Sequence, residues 1–511
     1  MSAPRVHPAF ERMEGVDAGF LYLETPTVHM HTLKIAILEP AEHLNFDSFV
    51  SGTLARLKRL PPMRRRVVAV PFGLNHPMWV TQRRIDAKHH LHRHRVPGSG
   101  TMRDLEVMIG RIASTPLDRR FPLWELHYCE GLADGRVAIV GKLHHALADG
   151  AAANALLGNV TDVRSAAVPP APDDIYEATD QIPGKLWLMR RALVDAALQV
   201  FSLPALLNRT MRGLRAAGRY RRDHGGGVPM PVIDAPRTSF NGSLTAARSF
   251  ATVTLPFAEF RRIREQHEGV TINDLVLAVV SGALRRWLAA HDEHPSRSLT
   301  AGVPVGADQR GAAPRLGGNR VSNMFTTLST DVDDPVERLR QISRTSGRAK
   351  QIQMRMGVEL MTDWGAFIPP AVFPVLVRAY SRARAASWHP AAFNATVSNV
   401  PGPREPVSIG GARLSDMFSV GPLADGIGLN VTVWSYVSNL NFSLLACTDL
   451  LPDVEVLASY FPDALAELDL DQAIADRTKE DDDIDTNGID TNGIDTNDID
   501  TNDIDTKGAS A

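Results

Sequence analysis

The sequence predicts an α/β protein built as two pseudo-duplicated halves of similar size with a cleft or tunnel between them. Strand-like apolar runs alternate with helical periodicities over residues 1–180, and the same alternation returns over 236–470. The length, 511 residues, exceeds what one hydrophobic core supports.

In the first half, Thr32–Leu38 reads as a strand and Phe46–Leu60 has helical spacing that ends at Pro61-Pro62. Met78–Thr81 is a short strand, Met102–Ser114 an amphipathic helix, and Arg136–Leu143 an apolar strand. After it the chain turns small and helical, Ala151–Leu157, until the Pro/Asp-rich run Val168–Asp174 breaks the pattern. Residues 181–235 form a helical linker in which 183–222 predict two helices broken at Pro204. In the second of these Arg209, Arg212, Arg215, Arg219 and Arg222 fall on one side at 100° per residue. Leu206, Leu207, Met211, Leu214 and Ala217 fall on another. Such a helix suits the surface of an anionic membrane or lipid particle; packing of its apolar side on the protein accounts for it equally well.

In the second half, Ser249–Leu255 is a strand and Phe257–His267 a helix. Thr271 or Asn273 caps a strongly apolar helix that runs to about Ala290. Strands follow around Val397, over Leu429–Val437 and over Leu440–Ala446. Residues 471–511 are a tail of five-residue repeats (Ile-Asp-Thr-Asn-Gly and variants) with one isoleucine each. That is too little to build a core, and disorder is expected. The five-residue period fits neither an EF-hand loop nor the nonapeptide calcium repeat.

Composition narrows the function classes. The net charge of −3 hides an asymmetry, because residues 480–511 hold eleven acidic side chains against one lysine and the rest of the chain is therefore basic. A basic body suits an anionic ligand or an anionic membrane surface; no nucleic-acid partner is expected. Two cysteines, Cys129 and Cys447, make neither a disulfide framework nor a zinc spacing, which fits a reducing, cytoplasmic setting. No signal peptide is recognisable, so secretion is not expected, and no run reaches the ~18 apolar residues of a membrane span. There is no G-x-S-x-G elbow, P-loop or G-x-G-x-x-G after a strand. Lys88–His94 invites a metal reading, since His90, His92 and His94 would share one strand face. No carboxylate or cysteine joins them, however, and an edge strand with basic side chains is the better account; no metal is expected.

The most informative stretch is Leu143-His144-His145-Ala146-Leu147-Ala148-Asp149-Gly150, where the apolar strand ends and a helix begins. A histidine at such a junction reaches a cleft from rigid backbone, as a general base requires. On a continuing strand His144 and His145 point to opposite sides, so one faces substrate and the other packs. A His/Asp pair at this spacing is also a common structural pair. Gly150 permits a tight turn or close approach of a ligand.

From Met13 to Phe461 the chain resembles the bacterial wax ester synthase/acyl-CoA:diacylglycerol acyltransferases of the CoA-dependent acyltransferase superfamily. The resemblance rests on an ordered set of blocks. These are Val16–Pro26, Ser114–Arg119 with Phe121–Glu125 (a PLW block), the HHxxxDG motif His144–Gly150, Asn273-Asp274, Gly318–Phe325, Val397–Pro403 and Gly428–Trp434. The loop Phe240–Arg248 keeps its Asn-Gly but is less basic and has fewer prolines than many members. HHxxxDG also marks peptide-synthetase condensation domains. The resemblance implies two chloramphenicol-acetyltransferase-like domains with an active-site tunnel between them, and transfer of a long-chain acyl group from acyl-CoA to diacylglycerol or a long-chain alcohol. It implies His145 as the general base in a direct ternary complex, His144 in a supporting role, Asp149 as a structural residue paired with an arginine, and Gly150 as room at the site. Acyl-CoA is a co-substrate and no cofactor is implied. Asn273 and Asp274 are read as helix capping or substrate contact, Ser398 and Asn399 as candidate substrate contacts, and Trp124 as core. The expected location is peripheral, at the inner membrane or lipid droplets. The rival readings are a condensation-type enzyme using a carrier-protein thioester and a non-catalytic lipid-binding protein.

Overall fold

The strand Val137–His144, Val-Ala-Ile-Val-Gly-Lys-Leu-His, is buried along almost its whole length, which makes it a central strand. It pairs antiparallel with His31–Leu38 on one side (His31 opposite His144, Leu38 opposite Val137) and with Trp124–Glu130 on the other. The edge strand Leu91–Arg95 runs parallel to Trp124–Glu130 and closes that side of the sheet. The computed structural model describes residues 6–57, 60–150, 152, 155–156, 175–224, 228–230, 233–306, 315–357 and 360–471. Most of the small helical run expected after Gly150 and nearly all of the repeat tail lie outside the described residues.

The second six-stranded sheet has the order 248–256, 439–447, 429–436, 395–400, 300–306, 321–327. Its strands 300–306, 395–400 and 429–436 run parallel, and the outer pairings are antiparallel. The apolar helix Ile272–Ala290 packs into this half's core, with Leu275 to Val280 fully buried. Its cap is Thr271, whose hydroxyl accepts from Asp274 N while the Asp274 carboxylate accepts from Thr271 N.

Ala412–Val420 belongs by position to the second half but hydrogen-bonds to His31–Leu38 and extends the first sheet. The halves are thus interlocked within one unit, residues 1–468. No local pattern predicts this crossover, because an apolar strand reads alike whichever sheet it joins.

Two expectations are corrected. Residues 183–222 are one helix, Lys185–Asp223, with Pro204 inside it, not two helices. Pro204 costs about 3 kcal/mol in a helix interior, and contacts on both sides hold the helix across it. Asp195 accepts from Arg12 at 3.0 Å before the proline, and Arg209 pairs with Asp363 at 3.0 Å after it. Leu206, Gly213 and Ala217 are buried, and a Cβ on Gly213 would lie 2.6 Å from Met356 O. The histidine run also does not share one strand face. His90 ends a helical turn, stacks on Trp124 and hydrogen-bonds through Nδ1 to Trp124 O at 2.7 Å, while His92 and His94 pack on His127. Among the described residues no group of three or more His, Cys, Asp or Glu side chains could hold a metal ion, and no helix is long and apolar enough to cross a membrane. Cys129 and Cys447 are free and buried.

Candidate active site

The strand Val137–His144 ends with His144 opposite His31, His145 N adds one more rung by donating to Met30 O at 2.7 Å, and the chain then turns, with Leu147 N donating to His144 O at 3.0 Å. Strand alternation therefore puts the two imidazoles on opposite sides. His144 is buried; its Nδ1 accepts from Ala146 N at 3.1 Å, and its Nε2 lies 3.7 Å from Glu24 Oε2. Burial opposes ionisation of Glu24, but His144 and Arg119 outweigh it and hold its carboxyl down at about 2. His144 therefore belongs to the scaffold beneath the site.

His145 lines a cavity of ≈560 Å³ whose walls come from both halves: Phe20, Met30 and Lys34 from the first, Pro304, Ser398 and Thr432 from the second. Its ring stacks on Phe20 with centroids 4.2 Å apart and planes 21° apart. Nδ1 lies 3.0 Å from Asn319 Oδ1, and Nε2 has no hydrogen-bond partner among the described residues. Burial pushes the imidazole down to about 4, so it is uncharged at neutral pH, the form in which it can accept a proton.

Asp149 also borders this cavity, but its carboxylate is engaged elsewhere. Its carboxylate accepts from Ala152 N at 3.0 Å, from Arg320 N at 2.8 Å and from the Arg315 guanidinium. The backbone adds Gly318 N to Leu147 O at 2.8 Å. The turn 145–150 is thus stitched to segment 315–320 of the second half. Gly150 lines the cavity, where a Cβ would sit 3.5 Å from Val400, an ordinary contact. The glycine leaves open space rather than meeting a backbone requirement.

The other site candidates separate. Ser398 lines the cavity with Thr396 and Val400. Asn399 is not among the lining residues; strand alternation puts it with the core residue Val397 on the other face. Asn273 and Asp274 do not line the cavity either. Asp274 is buried, closes the capping box and accepts from Ser343 Oγ at 3.2 Å and Ser346 Oγ at 2.5 Å, tying helix Ile272–Ala290 to helix Pro335–Met356. Trp124 is core, with Nε1 donating to Met63 O at 2.6 Å.

Sequence reasoning assigned no role to Asn319, Asp17, Phe20 or Arg315. Asp17 and Phe20 lie within the block Val16–Pro26 and Asn319 within Gly318–Phe325, the only signal that could have found them; Arg315 lies in no such block.

The catalytic-domain model of the wax ester synthase/diacylglycerol acyltransferases matches residues 13–276, and the model of that family's C-terminal domain matches residues 317–469. A Mycobacterium tuberculosis H37Rv protein whose name proposes it as a diacylglycerol O-acyltransferase is 38% identical over 457 residues, covering 89% of this chain and 95% of the relative. Among solved structures, the wax ester synthase/diacylglycerol acyltransferase from Marinobacter aquaeolei VT8 is similar at 27% identity with a TM-score of 0.63, covering 91% of this chain and 100% of that one. The first condensation domain of the CDA synthetase shares the fold, at 15% identity and a TM-score of 0.54 over 90% of this chain and 95% of that one. The two interlocked α/β halves, the histidine set in the cavity between them and these matches agree that the chain is an acyltransferase and belongs to the wax ester synthase/diacylglycerol acyltransferase family.

Proposed function

We propose that this enzyme moves a long-chain acyl group from acyl-CoA to the free hydroxyl of diacylglycerol, giving triacylglycerol, and that long-chain alcohols are alternative acceptors giving wax esters. The observation that carries the reading is His145: an uncharged imidazole with an unengaged Nε2, on rigid backbone, in a cavity with a largely apolar wall. An alcohol is a weak nucleophile until a base takes its proton as it attacks. His145 Nε2 takes the hydroxyl proton while the oxygen bonds to the thioester carbon and the carbonyl π pair moves to oxygen. As that pair returns, the C–S bond breaks and the thiolate leaves with the proton from Nε2, so ester and CoA form with no net proton. No oxidation state changes, and acyl-CoA serves as co-substrate without a resident cofactor.

A peripheral location at an anionic membrane or lipid-droplet surface is part of the same proposal. Helix Lys185–Asp223 uses Leu206, Gly213 and Ala217 to pack, yet Leu207, Met211 and Leu214 remain exposed beside Arg212, Arg215 and Arg219. Apolar side chains interleaved with cations are what an anionic lipid surface accepts.

Purified protein with palmitoyl-CoA and diolein should yield triacylglycerol, and H145A should lose at least ~100-fold in rate. Transfer only from a carrier-bound acyl group would favour the condensation-type reading. A fold-intact wild type that turns over neither donor would leave the lipid-binding reading.

A further inference from the structure

The nitrogen that acts as base is decided by what the other ring nitrogen does. At His145 that partner is Asn319, which lies 174 residues away in the second half and is 1% exposed. An asparagine amide presents either its oxygen or its nitrogen, and here its other contacts choose. Nδ2 donates to Asp17 Oδ1 at 2.7 Å and to the His145 carbonyl oxygen at 2.8 Å. The His145 carbonyl can only accept, so turning the amide over would bring oxygen against oxygen there and lose that bond. Oδ1 is thereby left facing His145 Nδ1, and only a protonated Nδ1 can donate to it.

We infer that Asn319, anchored by Asp17, is the positioning residue of acyl transfer, holding His145 in the tautomer whose bare Nε2 faces the cavity. The inference rests on the reading of His145 as general base. Asp149, the acidic member of the motif, is engaged by Arg315 and two backbone N–H groups, so the orienting role falls outside the motif. The arrangement parallels hydrolases in which an asparagine orients the catalytic histidine. Asp17 and Phe20 sit on one helix, Gly15–Leu23, so the same element anchors the amide and supplies the face on which the imidazole stacks. Burial raises the Asp17 carboxyl to about 8, against the opposing effect of its hydrogen bond from Asn319, so at neutral pH the anchor adds little charge beside the imidazole. The His145 orientation is therefore completed only when segment 315–320 of the second half is seated on the turn 145–150.

The test uses the full-length chain, palmitoyl-CoA and diolein. N319A should lower kcat at least ~10-fold with KM changed by less than about twofold, because orientation of a triad histidine acts on the chemical step. N319D keeps an acceptor at the same place and adds charge, so it should retain more activity than N319A and move the acidic limb of kcat/KM upward by about one pH unit or more. In ¹⁵N-histidine spectra the wild-type His145 signal, identified by its loss in H145A, should report a protonated Nδ1 and a bare Nε2. N319A should shift it toward the mixed-tautomer average. A wild-type kcat in N319A, an unmoved limb in N319D, or a protonated Nε2 in the wild type would overturn the inference. Should N319A not fold, the N319D profile and the wild-type spectrum decide alone. Full turnover in H145A would instead remove the base itself, whereas an inactive H145A with unaffected N319A and N319D would sink only the role of Asn319.

Discussion

Replacing Asp149 should cost stability more than it costs chemistry. The carboxylate is 6% exposed and satisfies three donors: Ala152 N, Arg320 N and the Arg315 guanidinium. D149A takes the acceptor from all three. A buried donor that loses its partner costs about 1–3 kcal/mol, and breaking a buried ion pair costs about 3–5 kcal/mol. Arg315 keeps bonds to Gly317 O at 3.2 Å and Gly318 O at 2.6 Å, which places the expected loss near the lower end, about 3–4 kcal/mol. D149N retains one acceptor oxygen and loses the charge, so its loss should be about half as large. The assay is guanidinium unfolding of wild type, D149A and D149N, with turnover measured well below each transition. D149N should keep turnover within about tenfold of wild type while its midpoint falls, as a scaffolding role requires. Wild-type stability in D149A together with abolished turnover would refute the scaffold assignment and place Asp149 in the chemistry.

Two further outcomes follow from the surface and the cavity. Reversal of Arg212, Arg215 and Arg219 to Glu should weaken binding to phosphatidylserine vesicles, most at low salt, with palmitoyl-CoA turnover on dispersed acceptor unchanged; equal sedimentation of wild type and variant would leave that helix a packing element alone. At Gly150, alanine meets only an ordinary contact with Val400 and should leave the enzyme folded and active. Leucine should fill the cavity and raise KM for long-chain acyl donors; an unchanged KM in G150L would show that acyl chains do not pass Gly150.

The legible part of the site was its motif. His144, His145, Asp149 and Gly150 fall together because a strand end and a tight turn are local structures, written in adjacent residues. Which histidine faces the cavity was legible as an alternative and was resolved by the packing around the strand end: His145 N still adds a rung to the ladder at Met30 O, the chain turns only after it, and the cavity lies on the His145 side. Thr271 as a cap and the apolar helix behind it were legible for the same local reason. Asn273 and Asp274 were not, as contacts: a capping box and a polar substrate contact share residue types, and only the packing of helix Pro335–Met356 shows where Asp274 spends its hydrogen bonds. Pro204 misled because a helix-breaking residue is a local cost, while the Arg12–Asp195 and Arg209–Asp363 pairs that hold the helix across it are distant in sequence.

The sequence by itself determined the α/β class, the two-half plan, the apolar strand Arg136–Leu143 and the acyltransferase motif at its end, because period-2 and period-3.6 patterning and turn chemistry act over a few residues. Tertiary structure alone decided that Ala412–Val420 joins the first sheet, that Arg315 and Arg320 clamp Asp149, and that Asp17 and Asn319 meet at His145. Those contacts join residues up to hundreds of positions apart, and hydrogen-bond geometry between them exists only once both halves have packed.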